Sequence, residues 1–267
     1  MGMGTRIGNG MAAEVDKSMG TEAAGAEEAS EAALPFSPGR LRSFFLAGKA
    51  GRLEALAKDG HADAPYAALV AHPHPKGGGT MHNKVVYHAA KVFEALGWPV
   101  LRFNFRGVGL SEGEHHGRAE FADVQVALDW LKGEYAKPIV AAGFSFGSAT
   151  GLKAVSERYV AGLKDVVGFA ALGLPIANGE RRYAHPYLAE YPLPKLFLSG
   201  DRDEYAPVDE LRAVVAEAAE PKRLVTIAGA DHFFTGHLAA MQEQLRGWLD
   251  AEFSEAKRPQ ETAEPYL

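Results

Sequence analysis

Hydrophobic positions along this chain alternate between two periods. Short apolar runs at 41–46 and 52–57, on either side of Gly48-Lys49-Ala50-Gly51, predict two strands joined by a tight hairpin. A third run, 66–71, ends in His72-Pro73-His74-Pro75 and the glycines Gly77-Gly78-Gly79. Asn83 then suits the cap of a helix whose apolar face carries Val85, Val86, Ala89, Val92, Phe93 and Leu96, and Gly97 suits its stop. Further strand-like runs follow at 100–105, 138–144, 166–172, 196–198 and 224–227. Helical faces lie between and after them: Phe121, Val124, Leu128 and Leu131, then Val208, Leu211, Val214, Val215 and Ala218, then Leu238, Met241, Leu245, Trp248 and Leu249. Apolar runs this short and this continuous suit strands covered on both faces. Strands alternating with helices predict an α/β fold: a mostly parallel sheet with helices on both faces, and an antiparallel edge supplied by the first hairpin. The chain shows no internal repeat.

Composition narrows this picture only at the ends. The 267 residues are 47% hydrophobic and 23% charged, which suits one globular domain. Residues 1–35 hold no aromatic side chain and are rich in Ala, Gly and Glu, so they read as a disordered extension. The domain is expected over 36–254, with 255–267 a flexible polar tail. A net charge of −6 speaks against nucleic acid as a partner. The absence of cysteine removes disulfides, thiolate metal sites and a cysteine nucleophile. No apolar run approaches the roughly 18 residues of a membrane span. The N-terminus also lacks the basic-then-apolar pattern of a secretory signal. A cytoplasmic enzyme without a membrane partner is the expectation, and its oligomeric state is not legible.

Candidate chemistry centres on Gly143-Phe144-Ser145-Phe146-Gly147, which joins the 138–144 run to a helix-compatible segment. G-x-S-x-G between a strand and a helix is the sequence form of a nucleophile elbow, a sharp turn that lifts a serine hydroxyl clear of the sheet. Glycines flank it because a Cβ there would collide with the turn, and the helix start aims free N–H groups at the reacting centre. Gly109-Leu110-Ser111-Glu112-Gly113 has the same form, but no strand runs into it, so Ser111 reads as a turn residue. Ser145 is the candidate nucleophile.

A serine needs a histidine to take its proton and a carboxylate to orient that histidine. Both are sought at strand exits, where the loops of an open α/β sheet converge. The 196–198 run exits into Asp201-Arg202-Asp203, and the 224–227 run exits into Asp231-His232. The order serine, aspartate, histidine along the chain fits this layout. Asp203 is the candidate acid, with Asp201 as the alternative or as a brace for the loop. His232 is the candidate base, and His237 falls inside the last helical pattern. Donors for an oxyanion are expected from the backbone N–H of Phe146 and from the exit of the 66–71 strand. Pro73 and Pro75 have no N–H there, which leaves the backbone of His74 ahead of His72 and Lys76.

These motifs, together with Gly78-Gly79-Thr80-Met81-His82-Asn83-Lys84-Val85-Val86 and Arg102-Phe103-Asn104-Phe105-Arg106-Gly107-Val108-Gly109, resemble the α/β-hydrolase superfamily. The resemblance spans residues 41–250 and points to a branch of small bacterial hydrolases related to dienelactone hydrolases and esterases. It implies an α/β-hydrolase fold with an eight-stranded sheet and a Ser145/Asp203/His232 triad. It also implies hydrolysis of small carboxylic esters through an acyl-enzyme, with no cofactor and no metal. Dienelactone hydrolases proper use a cysteine, so their substrate does not carry over. Residues 173–194, where many members insert a lid, are few and hold Arg181, Arg182, Tyr183, His185, Tyr187 and Tyr191 among prolines. That predicts a minimal lid and an open cleft. Arg181 and Arg182 could meet an acidic substrate but read first as solvated loop residues, and the Asn104/Arg106 loop reads as a brace for the sheet end.

Rival readings keep the same residues. Thioesterase or peptidase activity would use the same triad, and a non-catalytic member would use the cleft only to bind. A metal hydrolase would draw on His72 and His74, which share a face if the strand continues, with His82, His115 and His116 adding nitrogen. It lacks a carboxylate at ligand spacing.

Overall fold

A computed structural model describes residues 39–178 and 180–254. The expectations of a disordered segment at 1–35 and a flexible tail at 255–267 lie outside the described residues. The hairpin forms as the pattern predicts, with β1 (Leu41–Gly48) paired antiparallel to β2 (Gly51–Lys58) around Lys49 and Ala50. Next come β3 (Ala67–Ala71), α1 (Lys84–Ala95), β4 (Val100–Phe103), α2 (Phe121–Tyr135), β5 (Ile139–Phe144) and α3 (Phe146–Val160). After β6 (Val166–Leu172) lie two very short strands, β7 (Ala177–Asn178) and β8 (Arg181–Arg182). The chain then runs through β9 (Lys195–Gly200), α4 (Val208–Glu217), β10 (Lys222–Ile227) and α5 (Leu238–Phe253).

Eight strands make one sheet in the order β1-β2-β4-β3-β5-β6-β9-β10. Strand β2 runs against both of its neighbours, and all other pairings are parallel. Successive residues of the central strands feed opposite cores, as pleating requires. Ile139 and Ala141 of β5 pack with Val124, Leu128 and Leu131 of α2 and Leu152 of α3. Val140, Ala142 and Phe144 pack on the other side with Val86 and Phe93 of α1 and Leu245 of α5. Asn83 caps α1 as expected, its side chain accepting the N–H of Val85 at 2.9 Å.

The predicted strand at 100–105 stops at Phe103. Phe105 is fully buried, which explains the apolar run, but its N–H leaves the ladder and bonds the Nε2 of His72 at 3.0 Å. Helix α1 carries the chain from β3 to β4 across one face, and α2 carries it back past β3 to β5 across the other. The direction of winding therefore reverses at β3, and a crevice opens beyond the carboxyl ends of β3 and β5.

Residues 173–194 form no independent lid. Strands β7 and β8 make a two-residue ladder, followed by a 3-10 turn at Pro186–Ala189. This strap is tied to α3, since the hydroxyl of Tyr187 lies 3.0 Å from the carbonyl oxygen of Ala149 and 2.8 Å from His185 Nδ1. Among the described residues no helix is long and apolar enough to cross a membrane.

Candidate active site

Ser145 sits between β5 and α3 with φ 53° and ψ −116°, a conformation that side-chain-bearing residues rarely adopt. Holding it there costs about 1–3 kcal/mol, which the surroundings must offset. The Ser145 N–H donates to the carbonyl of Leu172 on β6 at 2.9 Å, and its own carbonyl accepts the Ser148 hydroxyl at 2.6 Å. A Cβ on Gly143 would lie 2.3 Å from the Gly147 carbonyl oxygen, and one on Gly147 would lie 2.5 Å from that of Ala71. The two glycines of the motif are thus what lets the turn close. Phe146 is the first residue of α3, so its N–H belongs to the group a helix leaves without an internal acceptor.

The exits of β9 and β10 supply the imidazole and the carboxylate. They approach so closely that a Cβ on Gly200 would lie 2.0 Å from the Ala230 carbonyl oxygen. His232 Nε2 is 2.9 Å from Ser145 Oγ, and His232 Nδ1 is 2.9 Å from both carboxylate oxygens of Asp203. A carboxylate only accepts, so the imidazole proton belongs on Nδ1 and the Nε2 lone pair faces the serine hydroxyl. Asp203 also accepts from the Ser199 hydroxyl (2.9 Å), Tyr205 N–H (2.9 Å) and Ala206 N–H (3.1 Å). The imidazole is held between the rings of Phe144 and Tyr205, at centroid distances of 5.0 and 4.5 Å. Asp203 is 3% exposed and His232 4%, so the pair is shielded from water. Asp201 lies outside this chain of contacts. Its Oδ1 accepts the Gly229 N–H at 2.7 Å and braces the loop. His237 stands just before α5 without a side-chain capping bond, its Nδ1 2.8 Å from the Thr235 carbonyl.

At the exit of β3, His72 and His74 part company. His72 is fully buried, its Nδ1 2.7 Å from the Pro73 carbonyl and its Nε2 accepting the Phe105 N–H. Burial pushes it down to about pKa 4, so it is neutral and spans the loops after β3 and β4. Both ring nitrogens are engaged by the protein, and a metal could take neither without breaking a buried contact. His74 is exposed, because the chain bends at the prolines on either side. The chain folds back so that Gly77 and Gly79 both donate to the His74 carbonyl (3.0 and 3.1 Å). Among the described residues no three His, Asp or Glu side chains converge as metal ligands.

Ser145, Phe146, His74 and His232 line one cleft of about 1110 Å³. Neighbouring parts of the loop after β4 are structural. Ser111 Oγ donates to the Asn104 carbonyl at 2.8 Å and accepts the Glu54 N–H at 2.9 Å. Asn104 bonds Glu54 and the Met81 N–H, while Arg106 forms a buried ion pair with Asp123. Of two further lining residues, His115 entered the sequence reading only as a nitrogen for the metal rival, and Glu120, at the N-cap of α2, did not enter it. Ser199, which orients Asp203, could have been suspected only from its place at the end of β9.

Residues 66–252 match the family described as an alpha/beta hydrolase domain. An uncharacterized protein of Rickettsia prowazekii is 37% identical over 218 residues, covering 78% of this chain and 89% of that one. A putative alpha/beta hydrolase from Agrobacterium tumefaciens superposes with a TM-score of 0.72 at 32% identity, over 82% of this chain and 99% of that one. A Xanthomonas campestris protein, described as an a/b serine hydrolase without lid, gives a TM-score of 0.67 at 28% identity, over 81% and 97% of the two chains.

Proposed function

The chain belongs to the alpha/beta hydrolase domain family, and on that footing we propose that it is a serine esterase acting on small carboxylic esters through an acyl-enzyme. In this reading Ser145 Oγ attacks the ester carbonyl carbon and its proton passes to His232 Nε2. The negative charge that develops on the carbonyl oxygen is received by the backbone N–H groups of Phe146 and His74. Asp203 stabilises the imidazolium and fixes its orientation. The tetrahedral adduct expels the alcohol, which takes the proton from His232 as the carbon–oxygen bond breaks. Water, deprotonated by the same imidazole, then attacks the acyl-serine, and the carboxylic acid leaves as the acyl–Oγ bond breaks and Ser145 Oγ takes the proton back from His232. Every proton and electron pair in the cycle is handled by the chain's own groups, the ester and water.

The observation that carries this reading is the pair of 2.9 Å contacts made by one imidazole, with the serine hydroxyl on one side and a buried carboxylate on the other. The short strap over the cleft supports compact, freely diffusing substrates. Short-chain p-nitrophenyl esters should be hydrolysed, and Ser145→Ala should lower kcat by about five to six orders of magnitude. Undiminished turnover by a folded Ser145→Ala protein contradicts the reading. Running the same assay on a thioester and a peptide would show which acyl compounds the site accepts.

A further inference from the structure

The charge around the cleft runs opposite to that of the whole chain. The net charge is −6, yet Lys76, Arg118, Lys153 and Arg182 all line the cleft, and among the described residues that line it Glu120 is the one carboxylate. Only one oxygen of Glu120 is engaged by hydrogen bonds, and its Oε2 has no hydrogen-bond partner among the described residues. The residue is fully buried, and its Oε1 accepts the N–H groups of His116 (2.7 Å) and Gly117 (2.9 Å). Arg182 is engaged too, its Nε 2.9 Å from Glu210. The other three cations are less committed. Lys76 and Arg118 are exposed and make no ion pair among the described residues. Lys153, two turns beyond Ser145 on α3, rests its amine 4.1 Å from the Phe121 ring centroid and reaches Glu157 only at 3.8 Å. Like charges around one cleft raise its potential for an anion, and a bound anion offsets their repulsion.

A second observation marks the same cleft. The His115 side chain is 8% exposed and lines the cleft, edge-on to His74 (4.9 Å) and Phe146 (5.4 Å). Its Nδ1 is 3.0 Å from Glu120 Oε1, but the direction is wrong for a hydrogen bond, and among the described residues neither ring nitrogen has a partner. A buried imidazole with two idle nitrogens is a costly arrangement unless something else fills them.

Resting on the esterase reading, we infer that the substrate carries an anionic group, carboxylate or phosphate, remote from the scissile bond, and that Lys76, Arg118, Lys153 and His115 form its subsite. The cations supply attraction over the width of the cleft, and the imidazole supplies direction. Burial, with smaller contributions from Lys76 and His116, outweighs the pull of Glu120 and Asp123 and keeps His115 below the ordinary histidine range. An arriving anion would favour its protonation, so ligand and proton would bind together.

The test compares kcat/KM for mono-p-nitrophenyl succinate and neutral p-nitrophenyl butyrate at fixed ionic strength. The anionic ester should be preferred by about tenfold, and Arg118→Glu/Lys153→Met should abolish or invert the preference. Lys164→Glu, a charge reversal beyond the C-terminal end of α3, should leave the ratio as it was. Calorimetry with succinate and with inorganic phosphate reads the subsite without turnover. Saturable binding should weaken about tenfold in the double variant, and the tighter of the two ligands identifies carboxylate or phosphate. A preference of one or less, a ratio unmoved by the double variant, or no saturable heat from either ligand overturns the inference. Hydrolysis of the butyrate ester without a preference for succinate removes the subsite alone. Saturable anion binding without hydrolysis of either ester removes the esterase reading and keeps the subsite.

Discussion

Two aspartates, two residues apart, end up with different work because of where their side chains point. Asp203 faces His232 and Asp201 faces the backbone of Gly229. Asp203→Asn should therefore lower kcat by about four orders of magnitude, by favouring the wrong imidazole tautomer. Asp201→Asn should stay within a few-fold of the parent in the same ester assay, and a large kcat loss confined to Asp201→Asn would reverse the roles. The sequence puts both residues in one loop but says nothing of side-chain direction, so it leaves both open as the acid, and the contact of Asp203 with His232 is what favours it here. His72 carries a different prediction. Its pKa of about 4 in the folded protein lies below the ordinary 6.5, so the unfolded chain binds the extra proton first as pH falls. The stability it contributes is fully present above pH 6.5 and lost between there and about pH 4, to the extent of about 3 kcal/mol. Urea unfolding at pH 7 and pH 5 should show a steeper loss in the parent than in His72→Gln. Equal losses would mean that the ring is not held neutral.

At the level of elements, the elbow depends on the absence of side chains as much as on the serine. Gly147→Ala places a methyl 2.5 Å from the carbonyl oxygens of Ala71 and His72, backbone that cannot yield cheaply. It should destabilise the protein by about 1–3 kcal/mol, and activity should fall further because the Ser145 hydroxyl shifts. Thermal unfolding together with kcat on a neutral ester checks this; a variant of parental stability and activity would mean the turn has room to spare. The glycines were legible in the sequence because the turn demands them. The end of β4 was not legible, since Phe105 is apolar for the core while its N–H serves His72. Nor were β7 and β8, which at two residues each are too short to show a period.

On the scale of the whole molecule, most strands and helices could be read from periodicity, and the serine, aspartate and histidine loops from their place at strand exits. The sheet order could not, because the insertion of β4 between β2 and β3 depends on which faces α1 and α2 cover. The cations of the cleft were equally hidden: Lys76, Arg118 and Lys153 are far apart in the chain and come to one cleft only through that topology. The account rests on one hydroxyl being more nucleophilic than any other serine in the protein, and covalent labelling with a fluorophosphonate tests that directly. Intact mass and peptide mapping should show one equivalent bound, on the peptide that carries Ser145, with the reaction lost in Ser145→Ala and much slowed in His232→Ala. A folded protein that takes up no label, or takes it at Ser111 or Ser148, contradicts the account.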